Sequence, residues 1–187
     1  MLLLGLLVAC PDLGAAHPHV FVEHSVALLF GARGLEGLRF SWEFDEMFST
    51  MLFETFASKK DRTFSAEAAK LIERKHFVSP KDYDQYFEIR LNGEVVPVTS
   101  VGEFEVRPLG ERVTYGFTVP LGGPAPPEGT VEILVEDVTY YTDFTLRGRS
   151  PVEVRNAASY TVDCRVVKDP KGVPPDVITC AYKRKGR

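Results

Sequence analysis

The dipeptide Asn92-Gly93, set between the strand-like runs 86–91 and 94–98, leaves little choice of local structure. Both residues accept the positive φ of a two-residue hairpin turn, so the flanking runs pair as antiparallel strands. A second hairpin is expected upstream. Residues 20–30 are rich in Val, Phe and Leu, Gly31-Ala32-Arg33-Gly34 supplies turn chemistry, and 38–44 resumes with alternating apolar residues. Further strands are expected over 102–107, 113–119, 131–135, 143–147, 156–167 and 177–183. Two helices interrupt them. Asp45 can cap the first, because Met47, Phe48, Met51, Leu52 and Phe56 recur at helical spacing, and the second runs from Ser65 to about Lys75. The fold class that follows is α+β, a β-rich antiparallel sheet or sandwich with a helical hairpin inserted at about 45–76. The proline-bearing stretch 122–129 is too short for a domain linker and joins two strands.

The chain opens on an apolar run, 1–9, too short to span a bilayer and of the length of a signal-peptide core. Gly14 and Ala16 supply small residues for cleavage before His17, giving a signal peptide over 1–16 and a single periplasmic domain over 17–187. Alternatively, Leu7-Val8-Ala9-Cys10 fits the pattern after which a lipoprotein cysteine is acylated, which would anchor the protein through Cys10. Either way Cys164 and Cys180 remain as an even pair, suited to an oxidising compartment and one disulfide. Its loop of about 15 residues would make the bond worth about 3 kcal/mol. The formal charge of −4 becomes −3 once Asp12 leaves with the leader, so no nucleic-acid partner is expected. No later segment is long and apolar enough to span a membrane as a helix.

Three of the four histidines fall within eight positions, His17, His19 and His24. In extended backbone His17, His19, Phe21 and Glu23 share one face, while Val20, Val22 and His24 share the other. Two imidazoles and a carboxylate thus make His17, His19 and Glu23 the candidate metal ligands. Imidazole suits zinc, nickel, cobalt or copper. Cleavage before His17 would add its α-amine as a ligand. Pro18 has no N–H to deprotonate, so a square-planar site built on backbone amides is excluded. Binding through imidazole and amine weakens below about pH 6.5, where both take up protons.

Trp42-Glu43-Phe44-Asp45-Glu46 places carboxylates among aromatics at a strand-to-helix junction, explained by Asp45 as cap and Glu46 in the first turn. A ligand or supporting role for either is the alternative. The acidic-aromatic stretch 136–141 reads as a packed strand end, and His76 as a surface or helix-capping residue. No nucleophile elbow, H-E-x-x-H or glycine-rich phosphate loop occurs, so the chain is not expected to be an enzyme.

Ala16-His17-Pro18-His19-Val20-Phe21-Val22-Glu23, Trp42-Glu43-Phe44-Asp45-Glu46-Met47-Phe48-Ser49 and Asp137-Val138-Thr139-Tyr140-Tyr141 together resemble the bacterial family called domain of unknown function 1007, described as a periplasmic component of an uncharacterised transport system. The resemblance covers most of the mature chain. Members often sit beside nickel/cobalt-type transporters, which implies an accessory or substrate-binding role in transition-metal transport with a membrane metal transporter as partner. Many relatives also carry an EF-hand-like loop between the two helices. Here the matching stretch, 57–68, keeps only Asp61 as a carboxylate at a ligand position. Arg62 stands for the glycine, Ala68 for the closing glutamate, and Lys59 and Lys60 repel cations, so no calcium binding is expected.

Overall fold

The structure is a computed structural model and describes residues 19–123, 126–168 and 176–186. His17, Cys10 and the leader cleavage point lie outside the described residues. The chain alternates short polar turns with strands whose apolar residues recur every second position, and it resolves into two stacked sheets. β1 (Val20–Gly31) and β2 (Gly34–Phe44) form the first hairpin, with a register shift at Leu29/Phe30. β2 is flanked by β6 (Arg112–Pro120), and β6 by β5 (Gly102–Leu109). The other side of β1 is taken by two short strands in series. β8 (Thr142–Leu146) pairs with Val20–His24 and β9 (Val152–Arg155) with Val26–Leu29.

Both of those pairings are parallel, so the first sheet is mixed rather than purely antiparallel. The strand expected over 156–167 begins only at Tyr160. Asn156 adopts φ 59° in a turn, and the four residues before it form β9 instead. The second sheet is antiparallel throughout, in the order β10 (Tyr160–Val167), β11 (Val177–Arg184), β7 (Glu128–Val135), β3 (Phe87–Leu91), β4 (Glu94–Val95). The Asn92-Gly93 turn joins β3 to β4, with both residues at positive φ. Cys164 and Cys180 form a disulfide across β10 and β11.

The core lies between the sheets. Phe40 and Trp42 of the first sheet meet Phe87 of the second at ring-centroid distances of 5.4 and 5.7 Å, and Phe30 packs on Tyr160 and Tyr182. Between β2 and β3 the chain inserts α1 (Glu46–Phe56) and α2 (Ala66–His76), followed by a short 3-10 turn at Pro80–Gln85. Each helix starts where its first turn can be capped. Asp45 accepts from Phe48 N at 2.8 Å, and Ser65 from Ala68 N at 3.1 Å. α1 buries Leu52 and Phe53, and its buried Ser49 hydroxyl accepts from Val113 N at 2.9 Å, fixing the helix to β6. Phe56 and Phe48 of α1 pack on His76 at the end of α2. Among the described residues no helix is long and apolar enough to cross a membrane.

Candidate functional site

His19 stands immediately before β1. Its N–H donates to Tyr141 O at 2.8 Å and its ring lies 5.1 Å from that of Tyr141, while its imidazole makes no hydrogen bond among the described residues. The alternation of β1 then turns Phe21 and Glu23 outward and Val20, Val22 and His24 into the core, as the spacing predicts. Asp45 holds this end of the strand. Phe21 N–H donates to its Oδ2 at 2.8 Å and Asp45 N–H returns a bond to Phe21 O at 3.0 Å, so one carboxylate both caps α1 and anchors β1.

Glu23 shares the outward face with His19 but is not brought against it. Four extended steps separate them by about 13 Å of backbone, and the Glu23 carboxylate lies 3.7 Å from Arg112. Arg112 also reaches Glu43 at 3.4 Å, and Glu43 reaches Arg147 at 3.0 Å. Glu23, Glu43 and Arg112, with Asp45 and Asp143, line a depression of about 240 Å³ beside Phe21. Among the described residues no three His, Cys, Asp or Glu side chains gather closely enough to hold a metal ion.

The other two described histidines are spent on packing. His24 is buried opposite Trp42 with its Nδ1 unpartnered, and burial pulls its pKa from 6.5 down to about 4. The imidazole is therefore neutral in the core. His76, read in the sequence as surface or capping, is half-buried against Phe56, and burial followed by the Lys75 charge lowers its pKa. It borders a cavity of about 430 Å³ walled by Trp42, Phe44, Phe77 and Phe144 and opening beside Tyr141.

The acidic-aromatic stretch differs from its reading as a strand end. It is the turn between β7 and β8, organised by Asp137, which is 5% exposed and accepts from Thr139 N and Oγ1 at 2.8 and 2.6 Å and from Thr142 N at 2.9 Å. Tyr140, at φ 59°, and Tyr141 are thereby pushed outward, 72% and 55% exposed, with Tyr141 beside His19. The local signal for this role was the D-x-T spacing, which allows the Asx turn.

The loop between the helices keeps a tight turn. Arg62 sits at φ 55°, the left-handed conformation that glycine would take there. Its guanidinium lies 4.1 Å over the Phe53 ring and 2.8 Å from Glu111. The Asp61 carboxylate is engaged by Thr63 N and Oγ1, and hydrogen bonds from the Ser58 and Thr63 side chains hold it below the usual carboxylate range.

A family model described as "Protein of unknown function (DUF1007)" matches residues 2–176. No curated protein matches the chain.

Proposed function

The chain belongs to the DUF1007 family, and on that footing we propose that it is a periplasmic accessory or substrate-binding component of a nickel-, cobalt- or zinc-type transport system. It binds the ion without catalysis and exchanges it with a membrane transporter. His17 and His19 supply the principal ligands and Glu23 a carboxylate further along the same strand face. The observation that carries this reading is the placement of His19: an exposed imidazole with no hydrogen bond among the described residues, on a backbone fixed by Tyr141 O and beside the Tyr141 ring. An imidazole that is held in place and otherwise uncommitted is suited to ligation. Glu23 would join only by leaving Arg112.

Calorimetric titration of the processed, chelator-stripped protein with Ni²⁺, Co²⁺ and Zn²⁺ tests it. Binding that His17→Ala/His19→Ala abolishes and Glu23→Ala merely weakens is expected; an affinity indifferent to the double substitution would overturn the assignment. A second reading, a transporter-docking or envelope module without specific metal binding, is favoured by the exposed Phe21, Met47, Tyr140 and Tyr141 at this end of the molecule. Partner capture that persists with all metal chelated supports that reading instead.

A further inference from the structure

The second sheet ends on β10, whose far side pairs with no strand among the described residues. β10 and β11 run together without a register shift from Tyr160↔Arg184 to Val167↔Val177. At their middle, the Cα atoms of Cys164 and Cys180 stand 4.1 Å apart, the close spacing of a non-hydrogen-bonded antiparallel pair. Alternation then turns the main-chain N–H and C=O of Val162, Cys164 and Val166 away from β11 and toward the open edge, where water or another strand must satisfy them.

Among the described residues the other sheet edges are blunted and β10 is not. β4 is only two residues long, β5 carries Pro108 and a register irregularity, and the β1 side is covered by two short strands. Between Tyr160 and Val167 there is no proline, lysine or bulge, and the disulfide holds the strand against its neighbour.

The strand is also complementary to itself. Asp163 and Arg165 flank Cys164 on the exposed outer face, and neither forms an ion pair among the described residues. Val162 and Val166 flank it on the half-buried inner face. We propose that β10 is a homodimerisation strand, pairing antiparallel with β10 of a second copy of this chain about a two-fold axis at Cys164 and joining two five-stranded sheets into one.

In that register Asp163 faces Arg165 of the second copy, and Arg165 faces its Asp163. Val162 and Val166 likewise face one another on the inner side. The even-numbered pairs exchange about six main-chain hydrogen bonds. The charged pairs fall at non-hydrogen-bonded positions, where cross-strand side chains approach most closely. Such an interface is isologous and closes at two copies.

Sedimentation of the mature protein over a range of concentrations tests the pairing. A reversible monomer–dimer equilibrium is expected. Arg165→Asp and Asp163→Arg, which set like charges opposite each other, each weaken dimerisation about tenfold. The double swap Asp163→Arg/Arg165→Asp restores it, and an equimolar mixture of the two single variants forms a heterodimer. Both side chains are exposed, so circular dichroism and thermal midpoint stay unchanged and separate lost pairing from lost fold. A monomer at every concentration, or a dimer insensitive to the reversals and the swap, overturns the proposal.

Discussion

His24 contributes to folding as a neutral side chain, which ties stability to pH. Its pKa is about 4 in the folded protein and 6.5 when exposed, so below pH 6.5 the unfolded chain takes up a proton that the native core refuses. Stability is then full above about pH 6.5, declines as pH falls and levels off near 4, a loss of about 3 kcal/mol over the window. Urea midpoints at pH 7.5 and 4.5 check this: His24→Leu should shrink the difference between them, and an undiminished difference would place the proton uptake elsewhere. The inward placement of His24 was legible from period-two alternation alone, because burial in a strand is a local pattern. The engagement of Glu23 was not. Arg112 lies far along the chain and reaches Glu23 only because β6 flanks β2, which carries Glu43 across from Glu23. Asp137 was half legible: its bonds to Thr139 are local, but its burial depends on the second sheet's Tyr86 side, where the Tyr86 hydroxyl lies 3.5 Å away.

At the scale of elements, the junction of β2, α1 and β1 rests on one side chain. Asp45→Ala removes a helix cap worth about 1 kcal/mol and leaves Phe21 N–H without its acceptor, for a combined cost of about 2–3 kcal/mol. Asp45→Asn keeps one accepting oxygen and should cost about half as much, measured by chemical denaturation; equal costs would mean that only one of the two bonds matters. Both helices were readable because caps and 3.6-residue spacing are local signals. β9 was missed for the opposite reason. Four residues after Pro151 carry too little pattern, and what makes Val152–Arg155 a strand is its parallel pairing to Val26–Leu29, a non-local contact. The same holds for the parallel docking of β8, since nothing in a short apolar run states the direction of its neighbour.

Over the whole molecule, two stacked sheets with an inserted helical pair follow from the alternating runs, but which strands share a sheet does not. The disulfide is the one long-range constraint the sequence offered directly, through an even cysteine count. Replacing Cys164 and Cys180 together by Ala should lower unfolding free energy by about 3 kcal/mol with the native circular dichroism retained; a change below about 1 kcal/mol would mean that β10 and β11 stay paired in the unfolded ensemble. β1 has a different bearing on how the molecule comes to exist. It precedes every other strand described and sits inside its sheet, yet one side is completed only by Thr142–Leu146 and Val152–Arg155. The β1–β2 hairpin therefore keeps one unpaired apolar edge until β8 and β9 have also been made, so this sheet closes through contacts of high sequence separation and closes slowly.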